Sequence, residues 1–295
     1  MKSTWVYFRY TMFDEYDDVI GAREHAQILE EVKGLPAPYR NRDPAPKDIN
    51  NILMQLRHEQ VDGEKCSLFV IGYKISDRVE RRYNEREDRV DLESAPADDM
   101  RVTGLIMVPR LRMIAVRDGS GERLSAVSGA GRLRAVIEYN LDCGFNFERT
   151  SSHDDVVRAM ANLALEEFTF EVRPFNPHPT NPGQKLHDLM KPNEIGNLKA
   201  KATPAAGGAM HSGTEGLIPE ATGMSEKGYG QFGLVGRTES GAQIKFQKPR
   251  FVGETAKDVD QQEKPTALRV TVPVDDGEMT EYEYVVHTMK ELFDG

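Results

Sequence analysis

The pattern of apolar and polar positions predicts a chain rich in β-strands. Phe168–Val172 alternates with the two-residue period of a strand, and Cys66–Tyr73 is apolar enough to lie at the centre of a sheet. The short aromatic run Trp5–Tyr10 is typical of a first strand. The other predicted strands are Gly104–Val108, Arg112–Arg117, Phe145–Glu148 and Leu268–Val272. A β-hairpin is also predicted, with the strands Gln231–Val235 and Ala242–Gln247 and a turn at Thr238–Gly241.

Helical spacing of apolar residues predicts the elements between these strands. Four residues at that spacing predict a short helix over Ile49–Arg57, and Asp48 is a candidate N-cap. Ser151 or Ser152 is expected to cap a helix that has acidic residues in its first turn. The other predicted helices cover about Ile20–Lys33, Ser125–Asn140, Gly183–Met190, Ile218–Lys227 and Tyr284–Phe293.

Three segments are expected to lie outside regular structure or at its surface. The run from Asp77 to Asp91 has many charges of both signs, which suits a solvated helix or a loop. Lys199–Met210 is rich in alanine and glycine and is predicted to be a loop, although Lys199 and Lys201 alternate along it as in an extended chain. Residues 254–266 are polar and are predicted to be a linker.

These elements indicate the fold class and the division into domains. Strands and helices alternate irregularly, and hairpin signals are frequent, so the prediction is an α+β protein with mixed, largely antiparallel sheets and packed helices. A chain of 295 residues can hold two domains of ordinary size. We predict an N-terminal α+β domain over 1–165 and a C-terminal α+β domain over 166–295, which carries the hairpin and an acidic tail.

The formal net charge of −10 is spread unevenly along the chain. Residues 254–295 carry eleven Asp/Glu against four Lys/Arg, a net charge of −7, whereas residues 185–250 carry nine Lys/Arg against six Asp/Glu, a net charge of +3. The total argues against a protein covered in basic surface. A local basic face can still coexist with an acidic remainder.

The short motifs that often mark enzyme sites are incomplete in this chain. Gly129-Ala130-Gly131 lacks the third glycine of a dinucleotide fingerprint, since Arg134 stands in that place. No serine or cysteine stands in a nucleophile elbow of the G-x-S-x-G type. His178 and His187 have no assigned carboxylate with which to form a metal site. The sequence therefore predicts no cofactor and no metal, and a noncatalytic role is favoured over an enzymatic one.

Cysteine usage and the apolar runs indicate the compartment. Cys66 opens an apolar strand and Cys143 lies beside a glycine, so two unpaired thiols are expected. This usage is typical of a reducing cytoplasm. The first residues run directly into a predicted strand rather than a signal peptide, and no apolar run approaches the roughly 20 residues of a membrane helix. A cytoplasmic protein without membrane insertion is expected.

Basic and aromatic residues in the middle of the chain form the candidate binding site. A hairpin with Lys and Arg beside aromatic side chains can follow a phosphate backbone, which gives salt-dependent and sequence-tolerant binding. The alternative is a solvated edge strand that lysines protect from aggregation. The predicted contacts are Arg132, Arg134, Lys199, Lys201, Arg237, Lys245, Lys248 and Arg250, with Tyr229 and Phe232 as stacking or packing aromatics.

The order of elements resembles that of the phage-exclusion RexA proteins and related bacterial antiphage accessory families, including the Kiwa B component. The likeness lies in the extended start at Trp5–Tyr10, the strand–turn–helix over 112–140, the strand Phe168–Val172 running into Pro174, and the hairpin that ends at Lys248-Pro249-Arg250. This resemblance implies a homodimeric, cytoplasmic protein that binds DNA without strong sequence preference and acts in phage defence or exclusion. The chain departs from it by being strongly acidic.

Two other functions stay open on the residues alone. A scaffold or inhibitor subunit would use the acidic region 254–295 to bind a basic protein partner. A metal-dependent nuclease could assemble its site from scattered carboxylates such as Asp99, Glu138 and Asp142, because active-site residues need only be close in space.

Overall fold

The computed structural model describes residues 2–38, 50–74, 78–84, 89–95, 100–119, 124–174, 183–206, 208–247, 268–274 and 279–294. Its strands are β1 Lys2–Phe13, β2 Ala37–Pro38, β3 Asn50–Val61, β4 Glu64–Lys74, β5 Arg78–Asn84, β6 Arg89–Ala95, β7 Met100–Val108, β8 Met113–Arg117, β9 Gly144–Arg149, β10 Ala164–Val172, β11 Leu198–Ala202, β12 Gly230–Arg237, β13 Gln243–Gln247 and β14 Arg269–Pro273. Its helices are α1 His25–Val32, α2 Ala126–Asn140, α3 His153–Ala161, α4 Gln184–Met190, α5 Leu217–Glu226 and α6 Glu281–Phe293. The predicted α+β class with largely antiparallel sheets and packed helices is confirmed.

The chain forms two compact units. Met1–Phe8 joins Arg149–Gly295 in what we call the C-terminal unit, and Arg9–Glu148 forms the N-terminal unit. The boundaries fall inside β1 and at the end of β9, whereas the sequence placed a single domain boundary after residue 165. The division into domains at residue 165 stays a prediction.

The C-terminal unit is built on an antiparallel sheet with the strand order β11-β10-β12-β13-β14 and then the first part of β1. One face of this sheet holds the core, since Phe168, Phe170 and Val172 of β10 are buried in alternation with half-buried polar residues. Helices α5 and α6 pack on this sheet. Trp5 of β1 donates its indole N–H to Glu281 at 3.0 Å, and Tyr7 donates its hydroxyl to the carbonyl of Val285 at 2.8 Å. These bonds attach the start of the chain to α6.

The N-terminal unit uses the last part of β1 in the strand order β1-β8-β7-β4-β3-β2, with β9 also paired to β1. Strands β7 and β8 are apolar runs, and Met113–Val116 are buried one after another. Helix α2 contacts β3, β4, β7 and β8. A Cβ atom on Gly129 would lie only 2.6 Å from Cγ2 of Thr103, so this glycine allows α2 to approach the sheet closely. Strands β5 and β6 form a separate two-stranded sheet.

The predicted helix over Ile49–Arg57 is wrong, because its described residues, 50–57, belong to β3. Asp48, the candidate N-cap, and Ile49 lie outside the described residues. The register between β3 and β4 shifts between Met54 and Arg57, and Gln55 has a φ of 51°, the mark of a β-bulge. The extra residue brings Leu53 and Leu56 to the same buried side. Their spacing of three therefore imitates a helical period although the segment is a strand.

Two further predictions of irregular or helical structure are also wrong. The charged run from Asp77 to Asp91 forms the β5–β6 hairpin over its described residues. Leu198–Ala202, the start of the segment predicted as a loop, is strand β11, which pairs along β10 from Phe168 to Val172. Alanine and lysine have low strand propensity, so pairing with β10 decides this conformation. Residues 254–266 lie outside the described residues.

Most of the other predicted elements are confirmed. The β12–β13 hairpin forms around Thr238–Gly241, and the helices near 125–140, 183–190, 218–227 and 284–293 are present. Ser152 caps α3 by accepting a hydrogen bond from the backbone N–H of Asp155 at 3.1 Å. Cys66 and Cys143 are both free thiols, as expected.

Candidate nucleic-acid interface

The C-terminal sheet has a polar face opposite its core, which we call the outer face. Alternation along β10 places Glu167, Thr169 and Glu171 on this face, because Phe168 and Phe170 point into the core. The register then determines which residues of the neighbouring strands share it, since directly paired residues point to the same side. Lys201 of β11 is paired with Thr169, and Gln231 of β12 is paired with Glu171.

Four of the predicted cationic contacts lie together on the outer face. Lys199 and Lys201 belong to β11, Arg237 to β12 and Lys245 to β13, and all four side chains are exposed. Two further cations of this face, Arg269 of β14 and Lys2 of β1, were not among the predicted contacts. Arg269 is paired directly with Lys245, and Lys2 is paired with Pro273. Their alternation with buried valine and serine was visible in the sequence, but only the strand order brings them to this face.

Three of these cations form ion pairs with carboxylates on β10. The Nζ atom of Lys201 lies 2.7 Å from Glu167, and Nε of Arg237 lies 2.5 Å from Glu166. Glu166 occupies the bulge in β10 and also accepts a hydrogen bond from Gln243 at 3.4 Å. The hydrogen bond from Arg237 is the main reason that the pKa of Glu166 is lowered from its ordinary value.

Glu171 is the most strongly held carboxylate of the outer face. It accepts hydrogen bonds from Asn197 at 2.8 Å and from Gln231 at 2.9 Å, and Nζ of Lys199 lies 3.2 Å away. The hydrogen bond from Asn197 is the largest cause of its lowered pKa, and Lys199 and Gln231 add to it. An open trough of about 420 Å³ lies beside these residues, and Gly233 of β12 is part of its lining.

The charge balance of the outer face is positive. Six Lys/Arg stand against three Glu, which gives a formal net charge of +3 among the described residues of these strands. Lys245 carries no ion pair within 4.0 Å among the described residues, although it lies close enough to Glu166 to lower the pKa of that carboxyl group. Its cross-strand neighbour Arg269 has the same charge, a pairing that is unfavourable unless an anion lies near both.

Arg132 and Arg134 belong to the N-terminal unit, on α2, rather than to the outer face. Arg132 is only 6% exposed, donates a hydrogen bond to Oδ1 of Asn51, and places its guanidinium carbon 3.7 Å from the ring centroid of Tyr73. A side chain so enclosed acts in packing rather than in phosphate contact. Arg134 is exposed and forms an ion pair with Glu138 at 2.8 Å, one helical turn away.

The two predicted aromatic contacts differ from each other. Phe232 is 3% exposed and lies on the core face, with ring centroids 5.8 Å from Phe168 and 5.5 Å from Phe246. Of the stacking and packing roles left open for it, the structure shows packing. Tyr229, which directly precedes β12, is 39% exposed. Lys248 and Arg250 lie outside the described residues.

Of the three carboxylates proposed for a nuclease site, the described residues include Glu138 and Asp142. Glu138 accepts from Arg134 and from the backbone N–H of Phe145 at 3.3 Å, and Asp99 lies outside the described residues. Within the ranges that the structure describes, no group of three or more His, Cys, Asp or Glu side chains is placed to hold a metal ion.

No protein-family model matches the chain, and no curated protein matches it. None of the described helices is both long enough and apolar enough to cross a membrane.

Proposed function

We propose that the protein binds the phosphate backbone of nucleic acid, without catalysis, through the outer face of the C-terminal sheet. The observation that supports this most strongly is the register, which gathers six cationic side chains against three carboxylates on one solvent-facing surface. Cationic side chains that neutralise phosphates release condensed counterions, and this release drives sequence-independent binding. A surface of this kind suits an extended polyanion better than a small ligand.

The composition of the outer face favours sequence-tolerant contacts. Lys199 and Lys201 are two residues apart on β11, so their backbones are separated by about 7 Å along the strand. Lysine is a flexible point charge and adapts to phosphates at several positions. Within the described strands, the outer face has no aromatic side chain on which a base could stack, in contrast to sheet surfaces that read single-stranded bases.

The proposal extends to a homodimer that acts in phage defence or exclusion. Only the resemblance in the order of elements supports the dimer, the antiphage role and the preference for DNA over RNA. The outer face supports the binding chemistry alone. These parts of the proposal therefore need separate tests, namely the mass of the protein in solution and phage sensitivity of cells that lack it.

The ion pairs with Glu166, Glu167 and Glu171 set the expected strength of binding. While these pairs persist, the formal net charge of +3 on the outer face corresponds to about three phosphates, and log K should fall with log salt with a slope of about −3 on duplex DNA. We expect a dissociation constant in the nonspecific range of about 1–100 μM. A measured slope near −3 would indicate that the carboxylates stay paired in the complex.

The decisive experiment is fluorescence anisotropy with labelled duplex and single-stranded DNA of random sequence at several salt concentrations. The double variant K245E/R269E changes the face from +3 to −1 and should weaken binding by at least about tenfold. K185E on α4 makes the same kind of charge change away from the outer face and should have little effect. Absence of binding at low salt, or an equal loss in both variants, would contradict the proposal.

A further inference from the structure

Strand β11 is the last strand at one edge of the C-terminal sheet. Among the described strands, it has β10 on one side and no neighbour on the other. Among the described residues, no backbone or side-chain group outside β10 forms a hydrogen bond with the backbone of Leu198–Ala202. An open edge of this kind is a template for pairing with another extended chain.

The direction of each backbone group along β11 follows from bonds at both ends of β10. The N–H of Arg173 donates to the carbonyl of Tyr229 at 2.8 Å, so Arg173 faces β12 and Val172, one residue earlier, faces β11. At the other end, the backbone of Leu165 exchanges hydrogen bonds of 2.9 and 3.3 Å with Met210 on the β11 side. Leu165 and Val172 therefore face the same side although they are seven residues apart, because the bulge at Glu166 adds one residue to the alternation.

The register transfers this alternation to β11. Phe168, Phe170 and Val172 face β11 and are paired with Ala202, Ala200 and Leu198. These three β11 residues therefore use their backbone groups for β10. The N–H and C=O groups of Lys199 and Lys201 point away from the sheet, so both edge-facing residues are lysines.

We propose that the β11 edge binds an extended peptide that carries carboxylates at alternating positions, by addition of an antiparallel strand. In such pairing, the peptide residues directly opposite Lys199 and Lys201 lie on the outer face beside them. Acidic side chains there are opposite in charge to both lysines. The peptide residue between them points to the core side, next to the small side chain of Ala200. The recognised pattern is therefore acidic, apolar, acidic.

A second copy of the chain is a poor occupant of the same edge. If two β11 strands paired about a two-fold axis, outer-face residues would meet outer-face residues, and lysine would lie opposite lysine. Like charges in that position repel, which is a common protection of natural sheet edges. The edge thus selects against self-pairing and in favour of an acidic partner.

The existing ion pairs of the two lysines do not block this contact. Lys199 and Lys201 are exposed, and their partners Glu171 and Glu167 lie on the opposite side, on β10. An ammonium group has three donors, so each lysine can also donate a hydrogen bond to a second carboxylate on the edge side. The inference does not depend on the proposed nucleic-acid binding, although both use these lysines.

The test uses the fluorescein-labelled peptide acetyl-Ser-Glu-Thr-Glu-Val-Glu-Thr-Glu-Ser-amide and the full chain. The variant K199P removes the edge-facing N–H without removing a bond to β10, and K199T removes the same charge but keeps the N–H. K199P should bind the peptide about tenfold more weakly than K199T. A peptide with N-methylated glutamates, and one with lysine in place of each glutamate, should lose binding.

Three results would overturn the inference: no binding of the acidic peptide, equal affinity of K199P and K199T, or unchanged binding of the N-methylated peptide. The last two would indicate contact through side chains alone. The N-methylated peptide keeps the test valid even if K199P distorts the strand. DNA binding should not distinguish K199P from K199T, so failure of this inference and failure of the nucleic-acid proposal give different results.

Discussion

The sheets of the two units differ in how much of their faces is exposed. In the C-terminal unit, β10 buries Phe168 and Phe170 on one side and presents Glu167, Thr169 and Glu171 on the other. In the N-terminal unit, β8 buries consecutive residues from Met113 to Val116, so both of its faces are enclosed. Charged residues on the outer face of the C-terminal sheet can therefore meet a ligand, whereas neither face of β8 is open to one.

Arginine shows the consequence of this difference. Arg237 projects from the outer face and pairs with Glu166, while Arg132 is enclosed between Asn51 and Tyr73. The two residues looked equivalent as candidates for phosphate contact. The contrast indicates that the location of a cation in the fold, more than its position in a basic stretch of sequence, decides whether it can bind a polyanion.

The largest effect is expected from the core side of the C-terminal sheet. The change F232A removes a buried ring that packs on Phe168 and Phe246, and should lower the free energy of unfolding by about 3–5 kcal/mol. Y229A removes an exposed aromatic just before the same strand and should cost less than about 1 kcal/mol. Urea unfolding of both variants measures this difference. Similar losses would contradict the assignment of Phe232 to the core.

A buried cation should matter more for stability than an exposed one on the same helix. R132M leaves the amide oxygen of Asn51 without its partner and removes the contact with Tyr73, so we expect a loss of about 2–3 kcal/mol. R134M breaks only a surface pair with Glu138 and should cost less than about 0.5 kcal/mol. Neither variant should change affinity for DNA, and weaker DNA binding by R132M with unchanged stability would reverse this interpretation.

The N-terminal unit should also be sensitive to mild acid, through His25. This ring is fully buried, and desolvation lowers its pKa. Nε2 of the ring lies 3.2 Å from Nη1 of Arg112 and 3.3 Å from the carbonyl oxygen of Ile20, and Nδ1 lies 2.8 Å from the hydroxyl of Tyr10. Burial is the largest cause; the carbonyl of Ile20 favours protonation more than the positive charge of Arg112 opposes it, and Glu24 favours it least.

The sign of the pH effect follows from the lowered pKa of His25. Below the unfolded value of about 6.5, the unfolded chain takes up a proton that the folded state resists. Stability should therefore fall as the pH drops below about 6.5, by at most about 1.4 kcal/mol per pH unit. H25N should flatten this slope in unfolding experiments between pH 7.5 and 5, while H211N, at an exposed position, should not. An unchanged slope in H25N would assign the effect elsewhere.

The smallest effect on stability is expected at the outer face itself. E171Q keeps the size of the side chain, replaces one acceptor oxygen with an NH2 group and removes the charge that pairs with Lys199, so the face changes from +3 to +4. Affinity for DNA should rise a few-fold, and the salt slope should steepen by about one. T169V alters the neighbouring position without changing charge and serves as the control. Unchanged affinity in E171Q would indicate that phosphates do not approach this part of the face.

The lowered pKa of Glu171 also predicts how acid acts on this unit. A carboxylate with a depressed folded pKa stabilises the fold above its unfolded pKa of about 4.3, and this contribution is lost as the pH falls through the folded value. The C-terminal unit should therefore keep this contribution through the range in which protonation of His25 already weakens the N-terminal unit. Hydrogen exchange at pH 5, followed separately in the two units, measures the difference.

The candidate site was predictable only in part. Lys199, Lys201, Arg237 and Lys245 were selected from a basic stretch. Alternation within a strand is readable from sequence, but the register between strands brings the four side chains to one face. Phe232 was placed among the same candidates although its parity on β12 directs it to the core. Lys2 and Arg269 were missed because they lie far away in sequence from the other four cations.

Local patterns were sufficient wherever neighbouring residues determine conformation. The β12–β13 hairpin, the Ser152 cap and the α+β class follow from turn chemistry, capping and periodicity, which act over a few residues. Tertiary structure alone decided the bulge at Gln55, the strand at Leu198–Ala202 and the burial of Arg132. Each of these depends on a partner strand or side chain distant in sequence, and the free energy of that pairing outweighs the weak local preference.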